Sequence, residues 1–239
     1  MEESLQTALA NYKPSDATIA LVQKTPIVLL VGIAGAGKDT IKHRLLQTEK
    51  YHHIVSHTTR QPRVNNGVLE RDGREYHFIS LEESYAMVQA GEYVEAKFVH
   101  GTVYGTSVAE IHTAAQTGKI AITDLDVQGV AEYKAISPHV IAVFVVPPSF
   151  EEWERRLSAR YGAAGLDETE LHTRMKTATK ELEEALKQPY YHFVINEDLE
   201  RAVEAVDKIA HNHDEFNTVD NSIHDHVAQL LCALEAKLA

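Results

Sequence analysis

The stretch that decides the fold is Ile27-Val28-Leu29-Leu30-Val31-Gly32-Ile33-Ala34-Gly35-Ala36-Gly37-Lys38. Its first five residues form a continuous apolar run of strand length, which predicts a strand buried on both faces. The next seven have the spacing G-x-x-x-x-G-K, and a helical pattern follows from Ile41 to Gln47. Glycines let a loop wrap an anion with its N–H groups, and the helix points its positive end at the same anion. The stretch therefore predicts a strand, a phosphate-binding loop and a helix, in that order.

The residues of this loop have predicted roles toward ATP. We expect Lys38 to reach the β- and γ-phosphates and to follow negative charge as it develops during transfer. The backbone and side chains around the lysine would hold the nucleotide. The predicted nucleotide-binding residues here are Gly32, Gly35, Ala36, Gly37, Lys38, Asp39 and Thr40.

Asp39 departs from the usual form of the motif. The position after the loop lysine normally holds Ser or Thr, whose hydroxyl binds Mg²⁺. Three interpretations are open: the Asp39 carboxylate binds Mg²⁺ as a hard oxygen ligand, points into solvent, or weakens nucleotide binding by repelling the triphosphate. The intact remainder of the motif favours the first two together.

Buried apolar runs alternate with helical patterns along the rest of the chain. Further strands are predicted at His53–Ser56, Tyr76–Ile79, Val94–Val99, Ile120–Leu125, Val140–Val146 and Phe193–Ile195. Helices are predicted near residues 1–13 and at Leu81–Ala90, Val108–Thr117, Phe150–Tyr161, Leu171–Leu186 and Leu199–Ala210, with a polar loop over Gln61–Arg74. This alternation predicts an α/β protein in three layers, a mostly parallel sheet with helices on both faces.

Composition excludes several classes of function. The chain has 239 residues, 44% of them hydrophobic, and a formal net charge of −12. No apolar run approaches the ~20 residues of a membrane helix, and the N-terminal segment lacks the pattern of a signal peptide, so we expect no membrane partner. A single cysteine, Cys232, excludes an intramolecular disulfide and favours the cytoplasm. The acidic balance argues against nucleic-acid binding, so anionic substrates would need local clusters of basic residues.

Such a cluster follows in Ser56-His57-Thr58-Thr59-Arg60-Gln61-Pro62-Arg63. Two arginines lie three residues apart, and an arginine fork can bind phosphate oxygens in pairs. Taken alone, the stretch would fit a solvated basic turn equally well. Four more motifs follow it: Gly73–Phe78, Gly91–Glu95, Gly101–Thr106 and Asp124–Gly129.

In this order and spacing, the motifs resemble the guanylate kinase family from about Pro26 to Ala210. The resemblance implies a P-loop NTPase fold with a core for ATP, a region for GMP and a helical lid that closes over both. It implies ATP- and Mg²⁺-dependent phosphorylation of GMP, and of dGMP. By resemblance, the GMP phosphate is bound by Arg60, Arg63, Tyr76 and Tyr104 with Ser56 beside them, and the guanine by Glu95, Thr106 and Asp126.

The chemistry of guanine agrees with these assignments. Guanine offers N–H donors at N1 and N2, which carboxylates accept, and an O6 acceptor to which a hydroxyl or an arginine can donate. Adenine lacks that donor edge, so two carboxylates facing it would stay unpaired and would reject it strongly. Asp124, at the end of a buried strand, is better explained as a carboxylate that organises Mg²⁺, together with Asp39.

The lid is predicted from Arg155-Arg156-Leu157-Ser158-Ala159-Arg160 and from Arg174, which precedes the A-x-x-E pattern Ala178–Glu181. Arginines that move in on closure can neutralise charge on the transferring phosphoryl group. The resemblance implies catalytic use of Arg156, Arg160 and Arg174, alongside Lys38 and Arg60. Asn196 falls where the family has an asparagine near adenine.

The resemblance divides the chain into an extension at 1–25, a family core at 26–210, and a linker with a C-terminal helix at 211–239. Within the core we expect a GMP-binding region at about 57–107 and a lid at about 150–178. Ser222 and Asp225 would cap the last helix. Its apolar face, with Ile223, Val227, Leu230, Leu231, Leu234 and Leu238, would dock on the core or join a second copy, so we expect a monomer or a homodimer.

Four features depart from the family pattern. The loop has Ile33 and Ala34 where proline and serine are usual, Asp39 replaces serine or glycine, and Val103 replaces a tyrosine beside Tyr104. The loop Val64–Glu75 is about four residues longer than usual. Two alternatives therefore stay open: a guanylate-kinase-like module that binds phosphopeptides without catalysis, and a kinase for another phosphorylated acceptor such as a sugar.

Overall fold

The computed structural model describes residues 2–65, 67–99, 101–160, 167–212 and 221–238. In chain order the elements are α1 (Glu2–Ala10), α2 (Asp16–Lys24), β1 (Ile27–Val31), α3 (Lys38–Leu46), β2 (Tyr51–His53), β3 (His57–Thr58), β4 (Val64–Asn65), β5 (Val68–Leu69), β6 (His77–Phe78), α4 (Leu81–Ala90), β7 (Tyr93–Val99), β8 (Thr102–Ser107), α5 (Val108–Thr117), β9 (Ile120–Asp124), α6 (Val127–Ile136), β10 (Ile141–Val146), α7 (Phe150–Arg160), α8 (Glu168–Lys187), β11 (Tyr191–Ile195), α9 (Leu199–His211) and α10 (Asn221–Leu238). No helix among these residues is long and apolar enough to cross a membrane.

The chain divides into two compact units. The first contains Met1–Ile27, Lys50–Thr123 and Ala131–Val140, and the second contains Val28–Glu49, Asp124–Val130 and Ile141–Ala239. The boundary crosses α6, so its first turn belongs to the second unit and its last turns to the first.

Parallel strands form the centre of the second unit. β10 pairs with β1 on one side and with β11 on the other, both in parallel. Every residue of β1 and of β10 is buried, which explains why both strands read as unbroken apolar runs. In the first unit, β2 pairs in parallel with β9. The predicted α/β class with a mostly parallel sheet is confirmed.

The first unit also contains a four-stranded sheet in the order β6-β3-β8-β7. β8 is antiparallel to both of its neighbours, and β6 runs parallel to β3. The register of β7 against β8 shifts between Tyr93 and Glu95. A bulge of this kind re-aims the side chains that follow it, and here the following residue is a predicted base-reading carboxylate.

Both terminal additions pack against the chain. In α1, Leu5 is fully buried in a cluster with Val88, Tyr93 and Val103. The Tyr12 hydroxyl donates to the backbone oxygen of Tyr93. The extension is therefore part of the first unit's core.

The C-terminal helix α10 packs along α8 in the second unit. Val227, Leu230 and Leu234 are buried, which agrees with the interpretation of this helix as docked on its own chain. The helix begins at Asn221, one residue before the predicted cap Ser222. Most of the predicted linker, residues 213–220, lies outside the described residues.

Several element predictions were wrong. The strand predicted at His53–Ser56 shares only His53 with β2 and ends before β3, because the chain leaves one sheet and enters another there. The predicted polar loop contains the β4–β5 hairpin. Besides the two strands of that hairpin, four elements were not predicted: α2, β3, β8 and α6. Their sequences have weak periodicity, and two of them have partners distant in the chain: α2 lies beside α5, and β3 pairs with β8.

The capping box predicted for α4 is confirmed. The Ser80 side chain accepts from the backbone N–H of Glu83, and the Glu83 carboxylate accepts from the backbone N–H of Ser80.

Candidate active site

The glycine loop between β1 and α3 has the geometry of a phosphate cradle. Gly32 has φ +140°, and a Cβ atom there would lie 2.1 Å from the backbone oxygen of Val145. Gly37 has φ +96° and caps α3, and a Cβ atom there would lie 2.2 Å from the side-chain nitrogen of Asn196. Only glycine fits either position without displacement of its neighbour. The loop thus ends with the exposed N–H groups of a helix N-terminus.

Three side chains hold the loop through its carbonyl groups, all within the second unit. Lys38 Nζ donates to the oxygen of Gly32 at 2.8 Å. The buried amide of Asn196 donates to the oxygen of Ala36 at 2.8 Å, and the indole of Trp153 donates to Ala34 at 2.7 Å. In this state the ammonium group of Lys38 is therefore hydrogen-bonded to the same loop that would bind a phosphate. Asn196 acts as a brace for the loop.

The two predicted metal ligands lie around a lysine that sequence reasoning did not single out. Lys42 forms an ion pair with Asp124, and its Nζ lies 4.0 Å from Asp39 Oδ1. Burial alone would raise the pKa of Asp124, but Lys42 and then Lys38 outweigh it and lower the pKa. The Asp39 side chain is 71% exposed. Among the described residues, no group of three or more His, Cys, Asp or Glu side chains has the arrangement of a metal site.

Asp126 and Glu181 add negative charge to the second unit. Asp126 Oδ1 accepts from the backbone N–H of Gly129 at 2.7 Å and so caps α6. Burial raises the pKa of Glu181 to about 6; Lys38 and Arg174 oppose the rise, and Asp126 adds to it. Glu181 belongs to the A-x-x-E pattern of the predicted lid, but its place near Lys38 was not predicted.

The lid arginines are paired with glutamates on their own helices. Arg155 and Arg156 both donate to Glu152, each at 2.7 Å, and these hydrogen bonds lower the pKa of Glu152 to about 2. Arg174 donates to Glu170 at 2.8 Å. Arg160 is the last residue of α7, and its side chain lies outside the described residues.

In the first unit, Arg60 is held by a carboxylate that was not predicted. Its Nη1 and Nη2 donate to Glu70 at 2.5 and 2.9 Å, and both side chains are almost fully buried. Glu70 also accepts from the backbone N–H of Arg63 at 2.8 Å. The hydrogen bonds that Arg60 donates to Glu70 raise the pKa of Arg60 further. The only sequence signal was an acidic residue in the loop after two arginines.

Aromatic rings border the same guanidinium. The Arg60 Cζ atom lies 4.9 Å from the centre of the Tyr76 ring, and the rings of Tyr76 and Tyr104 meet edge to face at 5.9 Å. Three of the predicted phosphate ligands are thus brought together. The Arg63 side chain is exposed, and its backbone N–H is joined to this cluster through Glu70.

The predicted base readers of the first unit are neighbours across β7 and β8. Thr106 Oγ1 donates to Glu95 Oε1 at 2.7 Å, and both side chains are buried. Ser56 Oγ lies 3.5 Å from Thr106 Oγ1. Strand pairing explains this, because Glu95 and Thr106 are directly opposite in the register. The third predicted reader, Asp126, belongs to the second unit.

The comparisons with known proteins agree with this geometry. The family model "Guanylate kinase" matches residues 23–213. The chain is 35% identical over 198 residues to Guanylate kinase 1 of Oryza sativa subsp. japonica, covering 82% of this chain but only half of that relative. It is also 35% identical over 198 residues to the guanylate kinase of Schizosaccharomyces pombe, covering 82% of this chain and 95% of that relative.

Two further comparisons extend this to a bacterial relative and to a solved structure. The guanylate kinase of Syntrophotalea carbinolica is 38% identical over 173 residues, covering 72% of this chain and 78% of that relative. The crystal structure of guanylate kinase from Anaplasma phagocytophilum matches with a TM-score of 0.58 at 26% identity, covering 80% of this chain and 87% of that one.

The parallel sheet, the glycine loop and the loop lysine define a P-loop nucleotide kinase. The buried carboxylate and hydroxyl beside an arginine and two tyrosines narrow that class. With the family match over most of its length, the chain belongs to the guanylate kinase family.

Proposed function

We propose that this protein transfers the γ-phosphoryl group of ATP to the phosphate of GMP. The observation that carries the proposal is the buried Thr106–Glu95 pair in the same sheet region as the Arg60–Tyr76–Tyr104 cluster. The Thr106–Glu95 pair suits a purine edge with N–H donors, and the cluster around Arg60 suits a phosphate. AMP would leave the buried carboxylate without the N1–H and N2–H donors of guanine.

The transfer needs no nucleophile from the protein, because the attacking oxygen belongs to the GMP phosphate. The chain's residues hold both nucleotides and stabilise charge. Lys38 leaves the Gly32 carbonyl for the β- and γ-phosphates, while Arg60 and Arg63 hold the acceptor phosphate. Arg156, Arg160 and Arg174 would serve the transferring group, and closure would require Arg156 and Arg174 to exchange their glutamate partners for phosphate oxygens.

We infer that Mg²⁺ accompanies ATP and is held by Asp124 and Asp39, with Thr40 nearby on the same helix turn. The Lys42 ammonium lies within ion-pair distance of both carboxylates, so a single small cation could be reached by both. Carboxylate oxygens suit Mg²⁺, which commonly takes one or two of them plus waters and phosphate oxygens. When bound, the ion would neutralise phosphate charge.

The family match and the two clusters of the first unit also support the assignment of regions and binding residues. Residues 26–210 would form the catalytic core, with GMP bound in the region 57–107 and a lid at about 150–178. Glu95 and Asp126 would accept from guanine, and dGMP would also serve. The single cysteine, Cys232, supports a cytoplasmic location.

The test is an ADP-release assay with ATP and Mg²⁺, run with GMP, dGMP, AMP, CMP and UMP. We expect turnover with the two guanine nucleotides, at least 100-fold above AMP. Lys38→Ala should lose at least 100-fold in kcat while still binding GMP, because Lys38 serves the donor phosphates. GMP binding would be checked by thermal shift.

Two outcomes would contradict the proposal. Faster turnover of a sugar phosphate or of AMP would indicate another acceptor. Retained binding of a phosphopeptide with no turnover of GMP in the wild-type protein would indicate a binding module.

A further inference from the structure

The Glu95–Thr106 pair, as it stands, has no hydrogen-bond donor to offer to a bound guanine. A threonine hydroxyl has one proton, and Thr106 donates it to Glu95. In this state the pair can accept hydrogen bonds from guanine N–H groups, but it has no proton for the O6 acceptor. To donate to O6, Thr106 must turn its hydroxyl away from Glu95.

Tyr133 lies behind this pair. Its side chain, on α6, is fully buried, and within the described part of the chain its hydroxyl forms no hydrogen bond. Burial and then the Glu95 carboxylate raise the pKa of Tyr133 far above its usual value, so the hydroxyl keeps its proton. The Thr106 hydroxyl is close enough to oppose this rise, although among the described residues its contact with the Tyr133 hydroxyl lacks the geometry of a full hydrogen bond.

Buried hydroxyls almost always have a partner, so an unpaired one needs an explanation. Tyr133 is 0% exposed, which excludes direct contact with a ligand in this conformation. Any influence on the base must therefore pass through Thr106 or Glu95. All three residues belong to the first unit.

We propose that Tyr133 is a positioning residue for guanine recognition, whose hydroxyl donates to Thr106 Oγ1 when Thr106 turns its proton from Glu95 to guanine O6. The proposal rests on the proposed function and names a further specificity residue for it. Each hydroxyl proton then has one acceptor in the bound state. In the free protein Thr106 donates to Glu95 and Tyr133 is unpaired; with the base bound, guanine N–H donates to Glu95, Thr106 donates to O6, and Tyr133 donates to Thr106.

This arrangement makes two predictions of opposite sign for Tyr133→Phe. The free variant should unfold at the same or a higher temperature than the wild type, because it loses a buried hydroxyl that had no partner. Its KM for GMP should rise about tenfold, because the bound state loses a hydrogen bond. KM for ATP and kcat should stay within twofold. IMP, which also has O6, should be affected as GMP is, whereas AMP should not.

The matched control is Tyr191→Phe. Tyr191 is another buried tyrosine, and among the described residues its hydroxyl makes no hydrogen bond of normal geometry, although Tyr190 lies beside it; it belongs to the second unit. This variant should also unfold at the same or a higher temperature, with an unchanged KM for GMP. The experiment combines steady-state kinetics with thermal unfolding of each protein, with and without GMP.

Each outcome decides between the alternatives. A GMP-induced rise in unfolding temperature that is smaller in Tyr133→Phe than in Tyr191→Phe would support the proposal, as would the selective rise in KM. Equal KM values for the two variants would overturn it. A lower unfolding temperature of free Tyr133→Phe would also overturn it, because the hydroxyl would then be paired without ligand. A wild-type protein that does not turn over GMP would instead overturn the proposed function.

Discussion

At the scale of single residues, the buried pair of Arg60 and Glu70 decides how the acceptor phosphate can be held. The Nη1 and Nη2 atoms of Arg60 both donate to Glu70, and the Nε atom of Arg60 is buried without a partner in the described structure. A guanidinium fixed in this way offers one orientation to a phosphate instead of many. Glu70 therefore acts through Arg60, as a positioning residue.

We predict that Glu70→Gln raises KM for GMP by at least tenfold with a smaller effect on KM for ATP. The amide keeps the shape but cannot neutralise the arginine or accept from both of its nitrogens and the backbone N–H of Arg63 as strongly. Steady-state kinetics with each nucleotide varied in turn would measure this.

Glu75→Gln is the matched control, because Glu75 lies in the same loop and pairs with the exposed Arg74. Surface ion pairs contribute ~0–1 kcal/mol, so this variant should keep the wild-type KM. Equal effects of the two substitutions would show that Glu70 has no special part in binding the acceptor.

At the scale of elements, α10 covers one side of α8, the helix that carries Arg174 and Glu181. The family match ends at residue 213, so this helix is an addition to the family core. Val227 is fully buried, whereas the next residue, Ala228, is exposed. A buried residue next to an exposed one shows that one face of α10 packs against the chain. A helical tail that did not dock would leave both residues exposed.

We predict that Val227→Asp lowers the free energy of unfolding by about 3 kcal/mol or more, because it places an unpaired carboxylate in an apolar contact. Ala228→Asp should change it by less than about 0.5 kcal/mol. Urea unfolding of both variants would measure the difference. Equal values, together with a concentration-dependent midpoint in the wild type, would indicate that α10 pairs with a second copy instead.

At the scale of the whole molecule, His57 links folding to pH. Its ring stacks on His77 at 4.7 Å and meets Tyr93 edge to face at 6.1 Å. Burial first, and then the neighbouring His77, lower the pKa of His57 to about 4 from its ordinary value of 6.5. The unfolded chain therefore binds a proton between pH 6.5 and 4 that the folded protein does not, and stability falls as the pH is lowered through this window.

We predict that His57→Phe, which keeps a ring but does not titrate, loses ~1–2 kcal/mol less stability than the wild type between pH 6.5 and 4.5. This is below the full linkage value, because the ring is only partly buried. Calorimetric unfolding at a series of pH values would measure it. The exposed His112→Gln should follow the wild type, and a His57→Phe curve parallel to both would contradict the assignment.

Much of the fold could be predicted from the sequence, because its strongest signals are local. The β1 run, the glycine loop and the capping box of α4 depend on neighbours within a few residues, and all three are found as predicted. The elements α2 and β3 could not be predicted, since their partners α5 and β8 are distant in the chain. The two strands of the hairpin inside the long loop have only two residues each, too few to show alternation.

By itself, the sequence determined the fold class and the phosphate loop and pointed to the candidate binding residues, because motif spacing and apolar runs encode these directly. Only the tertiary structure decided their partners. Glu70 meets Arg60, Lys42 meets Asp124, and Tyr133 comes to lie behind Glu95 and Thr106. The physical reason is that buried charges and hydroxyls are paired by strand register and helix packing across long sequence separations, which no local pattern records.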